Sequence, residues 1–146
     1  MNNEYRPYTL IAELTYRCPL RCPYCSNPID YARHGAEIDT DTWLRVFHEA
    51  EALGVVQLNL TGGEPLLRND LEQFIEKASK LELYTNLITS GIPLTFERLS
   101  RLQARGLNSV QLSIQSIRPL ESDRIAGAPS FQTLPAGSFE SAADWS

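Results

Sequence analysis

The sequence predicts an α/β fold of about four consecutive βα units, with parallel strands in one sheet. Two observations carry this. Four short apolar runs rich in Leu, Ile and Val recur along the chain, and stretches of helical periodicity separate them. Parallel neighbours need a crossover of about a dozen residues or more, and those stretches are long enough to supply it.

The strand candidates are Thr9 to Leu14, Val55 to Leu60, Leu83 to Ile88 and Val110 to Ile114. Their apolar character is that of parallel strands buried on both faces. Thr40 is placed to cap a first helix, in which Trp43, Val46, Phe47, Ala50 and Leu53 share a face before Gly54 stops it. Asn69 can cap a second, carrying Leu71, Phe74, Ile75, Ala78 and Leu81 in register. Thr95 can cap a third, with Leu99 and Leu102 inside and Gly106 beyond. From Ala128 to Ser146 there is Gly, Ser, Ala and Pro with scattered aromatics and no periodicity, which reads as an irregular tail. The chain therefore divides at residues 1–127 and 128–146.

With 146 residues there is room for one domain and one core. The net charge of −5 argues against a general nucleic-acid surface, which carries a basic excess. No apolar run approaches the roughly 20 residues that cross a bilayer, so no membrane partner is expected. Met1 to Pro7 is polar and lacks the apolar stretch of a secretory signal, which makes the cytoplasm the default location.

All three cysteines fall between positions 18 and 25. An odd count so tightly spaced is no disulfide framework, and the thiols read as ligands. The spacing is C-x3-C-x2-C, on the loop that leaves the C-terminal end of the first strand, where ligands bind in α/β folds. Pro19 and Pro23 keep that loop out of helix. Three thiolates on a four-iron cluster leave one iron open, as a catalytic zinc site keeps one position free. The alternatives are chance clustering and structural zinc, with His34 or His48 as fourth ligand.

The second strand runs into Thr61-Gly62-Gly63-Glu64-Pro65. Its glycines permit close backbone approach to a ligand, and Glu64 can hold an ammonium group. In isolation the same residues fit a tight turn before a helix.

Together, the C-x3-C-x-Φ-C pattern with aromatic Tyr24 at Φ and the GGE-P element one βα unit later resemble the radical SAM superfamily. The resemblance implies a truncated partial (βα) barrel of the radical SAM type. It implies a [4Fe-4S] cluster on Cys18, Cys22 and Cys25, with S-adenosyl-L-methionine (SAM) on the open iron. The backbone around Tyr24 would meet the adenine, and Gly62, Gly63 and Glu64 the methionine amino group. Ser90 and Gln115, after the third and fourth strands, would supply further SAM contacts, and they also fit plain strand-end turns. Tyr16, Arg17, Asn27, Arg33 and His34 flank the site as substrate contacts or solvated loop. No general acid or base is implied, because the cofactor performs the difficult step.

The runs Glu13 to Leu20, Cys22 to Pro28, Tyr84 to Gly91 and Asp123 to Gly127 are similar to the family of coenzyme PQQ (pyrroloquinoline quinone) synthesis protein E. That family crosslinks a glutamate and a tyrosine of a precursor peptide. The implied partners are that peptide, its peptide chaperone and an external electron donor. The alternatives are another peptide-modifying or sulfatase-maturing radical SAM protein, a remnant that binds a cluster without chemistry, and a zinc-binding interaction module. Members of the family are longer, with two more βα units and a cysteine-rich C-terminal domain for auxiliary clusters. No cysteine follows Cys25 here. The expectation is an N-terminal portion, truncated or frameshifted near Phe131 to Leu134, with a bare strand edge after Val110 to Ile114.

Overall fold

Among the described residues four strands, β1 (Thr9–Glu13), β2 (Gln57–Thr61), β3 (Tyr84–Thr89) and β4 (Ser109–Leu112), form one parallel sheet in the order β1-β2-β3-β4. Helices α1 (Thr40–Ala52), α2 (Leu71–Lys80), α3 (Phe96–Ala104) and α4 (Pro119–Ala126) alternate with them. The computed structural model describes residues 6–27 and 36–129. Arg33, His34 and the tail from residue 130 onward lie outside the described residues.

Register explains which face is covered. Ala12, Leu60, Leu87 and Val110 form one row across the sheet, and Leu10, Leu58 and Thr85 form another on the same face. These rows pack beneath Trp43 and Phe47 of α1, Phe74, Ile75 and Ala78 of α2, and Leu102 of α3. Phe47 and Phe74 meet edge to face at 5.8 Å, and Trp43 tilts against Phe47 at 5.7 Å. The intervening row, Ile11–Asn59–Asn86–Ser109, points the other way. Asn86 Nδ2 donates to Asn59 Oδ1 at 3.1 Å and Ser109 Oγ donates to Asn86 Oδ1 at 2.8 Å. This corrects the expectation of strands buried on both faces. The helices cover one face, and the other carries amides and hydroxyls that alternate with the leucines along β2 and β3 at the strand period of two.

The helix starts differ by one residue from expectation at two places. Asp39, not Thr40, caps α1, accepting from the Thr42 N–H at 2.8 Å. The residue before α2 is Asp70, not Asn69, and its carboxylate makes no cap because Arg68 and Thr40 take it. Thr95 caps α3 as expected, accepting from the Arg98 N–H at 3.1 Å. Leu53 is exposed rather than on the core face of α1. Helix α4 is an element that periodicity did not reveal. Its signal was present as Pro119 in the first turn and Gly127 just past the end, where φ is +68°.

Candidate active site

The site forms where the four βα loops leave the C-terminal ends of the strands. Leu14 extends the ladder of β1 by one bond, its N–H donating to Thr61 O at 2.8 Å. The chain then presses against the turn after β2. Gly63 N–H donates to Thr15 O at 2.7 Å, and Glu64 N–H donates to Arg17 O at 2.8 Å. A Cβ on Gly62 would lie 2.6 Å from Thr15 O, and one on Gly63 would overlap Arg17 O. The two glycines thus allow the turn to approach the stem of the cysteine loop, with Gly62 also at φ +133°. Close approach was anticipated toward a ligand, and in the structure the glycines bring chain to chain.

Beyond the stem the loop is held at separate points. Leu20 N–H points at Cys18 Sγ at 3.4 Å, and Cys25 N–H donates to Cys22 O at 3.0 Å. Asn27 Nδ2 donates to Gly62 O at 3.2 Å. From the far side, Ala126 O at the end of α4 accepts from Arg21 N–H at 2.9 Å. Sequence reasoning missed this brace because α4 itself was missed.

A cleft of about 490 Å³ opens between these loops. Cys18, Cys22, Cys25 and Tyr24 line one side, Gly62 and Gly63 another, with Ser90 after β3 and Gln115 after β4. Tyr16 and Asn27 also line it, as do Thr61, Thr89 and Ser113, three residues the sequence did not single out. Arg17 lines a separate hollow of about 460 Å³ beside Glu37 and Arg68. His48 lies on the exposed side of α1, away from the cleft lining.

Glu64 stands behind the wall of the cleft rather than in it. It is 0 % exposed, and both carboxylate oxygens are saturated. Oε1 accepts from Leu66 N–H at 3.1 Å and Thr89 Oγ1 at 2.6 Å. Oε2 accepts from Ser90 N–H at 2.9 Å and Ser90 Oγ at 2.5 Å. Four donors fill the four lone-pair sites of a carboxylate. What Glu64 presents to the cleft is therefore the position of Thr89 and Ser90, together with its negative charge.

Burial pushes the Cys18 thiol up, although part of the residue is exposed. The Leu20 N–H opposes the rise, and the charges of Glu64 and the other two cysteines add to it. Burial also raises Cys22, opposed by the Tyr24 hydroxyl and aided by Cys25. These shifts favour thiol over thiolate in the free chain, so metal uptake must displace protons. The donor set fits an iron–sulfur cluster: three thiols on one loop face free volume, with an N–H directed at one sulfur. Among the described residues no three Cys, His, Asp or Glu side chains gather as a metal-holding group. A cubane gives each thiolate its own iron, which suits three thiols along one side of a cleft with free volume beside them.

Comparison with known proteins places the chain in a family. The chain is 55 % identical over 121 residues to the "PqqA peptide cyclase" of Ruegeria pomeroyi, covering 83 % of this chain and 32 % of the relative. It thus spans about a third of the length of that curated relative. Among solved structures it is similar to Streptococcus suis SuiB bound to precursor peptide SuiA. There the TM-score is 0.70 at 21 % identity, over 84 % of this chain and 28 % of that one. It is also similar to anSMEcpe with bound AdoMet and a Cp18Cys peptide, with a TM-score of 0.64 at 20 % identity, over 95 % of this chain and 39 % of that one. At such identities the likeness shows the fold, a sheet and helix arrangement shared with these larger proteins. The profile of the Radical SAM superfamily matches residues 12–134, from β1 through α4, and so takes in the cysteine loop and the GGE turn. With its [4Fe-4S] and SAM chemistry, the radical SAM superfamily is the family to which this chain belongs.

Proposed function

We propose that the chain carries the cluster and SAM site of a radical SAM peptide cyclase acting on a PqqA-type precursor peptide. The observation that carries the site is the convergence of Cys18, Cys22 and Cys25 with Gly62, Gly63, Ser90 and Gln115 on one cleft, drawn from four different loops. The 55 % identity to the PqqA peptide cyclase supports the substrate class. The reaction would join a glutamate and a tyrosine of the peptide. A peptide chaperone and an external electron donor would act with the protein in the cytoplasm.

In this reading Cys18, Cys22 and Cys25 would hold the cluster. The backbone beside Tyr24 would meet the adenine. The Gly62–Glu64 turn and Ser90 would receive the methionine amino end, with Gln115 as a further contact from the β4 loop. The Glu64 carboxylate acts there through its charge and through Ser90. When bound, the cluster and SAM supply one-electron cleavage of SAM and a radical that takes hydrogen from an unactivated carbon. The chain's own part is to orient and to exclude water.

The test is anaerobic reconstitution of this chain with iron and sulfide, then dithionite and SAM. Methionine and 5′-deoxyadenosine formed in equal amounts, and dependent on Cys18, Cys22 and Cys25, is the expected result. A loaded cluster without SAM cleavage would reduce the protein to a cluster-binding unit. Zinc uptake at one ion per chain without iron loading would overturn the reading.

A further inference from the structure

The hollow beside the cleft contains an arrangement that the proposed chemistry does not use. Arg68 lies just past the GGEP turn, and its side chain is 7 % exposed. Nη1 donates to Leu14 O at 2.8 Å and to Ile38 O at 3.0 Å. Those carbonyls flank the two ends of the cysteine loop, one where the chain leaves β1 and one where it enters α1. Nε and Nη2 meanwhile hold both oxygens of Asp70, at 2.7 and 2.6 Å, and the guanidinium lies 5.1 Å over the Phe74 ring. A planar, permanently charged fork fixed by a carboxylate, an aromatic face and two carbonyls has little freedom left.

Glu37 completes the base. Its Oε1 accepts from Thr15 Oγ1 at 2.5 Å and Tyr16 N–H at 3.0 Å, while Oε2 lies 3.9 Å from Arg68 Nη1. Thr15 Oγ1 in turn accepts from Arg17 N–H at 3.2 Å. The stem from Leu14 to Arg17 is therefore pinned on one side by the Gly63 and Glu64 amides and on the other by Arg68 and Glu37. Cys18 is the next residue.

We propose that Arg68 and Glu37 are positioning residues for the cluster: they clamp the two ends of the cysteine loop together and fix the direction from which Cys18 leaves its stem. This rests on the cluster reading above and deepens it. Closing a loop of this length costs conformational entropy, and a clamp formed in the cluster-free chain meets that cost before the metal arrives. Removing the clamp should leave β2, β3 and the core in place and loosen the stem on the side that Arg68 and Glu37 hold.

The test compares the full chain with Arg68→Met, Glu37→Ala and Glu37→Gln; the glutamine keeps an oxygen acceptor for Thr15 and Tyr16. In the cluster-free chain, hydrogen exchange at the Tyr16 amide should quicken more than tenfold in Arg68→Met and Glu37→Ala, with Glu37→Gln close to wild type. Exchange at Leu58 and Leu87 should stay protected throughout. After anaerobic reconstitution, Arg68→Met and Glu37→Ala should hold less than half the iron of wild type, and Glu37→Gln should restore it. Loss of protection at Leu58 and Leu87 together with Tyr16 would mean a general folding role and overturn the proposal. Should Arg68→Met fail to fold, the two Glu37 variants decide the matter alone. Failure of the wild-type chain to take up iron counts against the proposed function. Full uptake by wild type, Arg68→Met and Glu37→Ala alike overturns the present inference alone.

Discussion

Glu64 shows how a residue can stand out in the sequence while its partners are chosen only by the fold. Its place in the GGE-P run marked it as an ammonium ligand, yet its carboxylate spends all four acceptor sites on Leu66, Thr89 and Ser90. The pairings cross from the β2 loop to the end of β3, which no local spacing encodes. Replacement by glutamine sets an amide NH2 against hydroxyl and N–H donors around a fully buried side chain. Glu64→Gln should cost about 1–3 kcal/mol, read as a lowered urea midpoint, because at least one buried donor is left unpaired. An unchanged midpoint would mean that Ser90 and Thr89 find other acceptors, and Glu64 would lose its bridging role. The cysteines are a local feature by contrast. Their spacing and the flanking prolines were legible one residue at a time, and the structure adds the surroundings that raise Cys18 and Cys22.

At the scale of elements, the helices between the strands were legible because each repeats its apolar residues at the helical period. Phe74 sits at the centre of that pattern. It is 0 % exposed, edge-on to Phe47 and beneath the Arg68 guanidinium. Phe74→Ala should cost about 3–5 kcal/mol through lost burial and the cavity left behind. The same change should weaken the seat of Arg68. Thr95→Ala removes the cap of α3 and should cost about 1 kcal/mol, since Thr95 Oγ1 serves one N–H at an exposed helix end. Chemical denaturation of the two variants checks both, and a Thr95→Ala loss as large as that of Phe74→Ala would contradict this ranking. The caps of α1 and α2 were misplaced by one residue because several cap-forming side chains stand in a row, Asp39-Thr40 and Asn69-Asp70. Only tertiary partners choose among them. Thr40 is drawn off to Asp70, and Asp70 to Arg68.

For the molecule as a whole, the clamp also sets an acid limit. Burial opposes ionisation of Asp70, but hydrogen bonds from Arg68 and Thr40 and the charge of Arg68 prevail and hold its carboxyl below the usual range. Glu37 is lowered in the same way: burial opposes, and Thr15, the Tyr16 N–H, Arg17 and Arg68 prevail. In the unfolded chain these groups return to ordinary values, near 4. Between the folded and unfolded values the unfolded state binds more protons, so stability rises with pH through that window. The contribution is complete above about pH 5 and is lost as pH falls through the lowered values. Urea midpoints measured across pH should be flat near neutrality and fall steeply below about pH 4. Asp70→Asn should show a shallower acid slope, together with a loss of about 3 kcal/mol at neutral pH from depriving a buried guanidinium of its two-point carboxylate partner. An acid slope identical to wild type would place the acid sensitivity elsewhere.

The sequence by itself determined the parallel βα order, the three helices between the strands and the likeness to the radical SAM superfamily. Each of these is written in local periodicity or in the spacing of a few side chains along one loop. Tertiary structure alone decided that one sheet face carries a row of amides and hydroxyls, that α4 braces the cysteine loop, and that the Glu64 carboxylate is bonded behind the cleft wall. It also decided that Arg68 joins the two ends of the cysteine loop. Those features depend on which distant backbone carbonyls and donors are brought within about 3 Å of one another, the range in which hydrogen bonds form. Sequence spacing carries no record of that until the chain has folded.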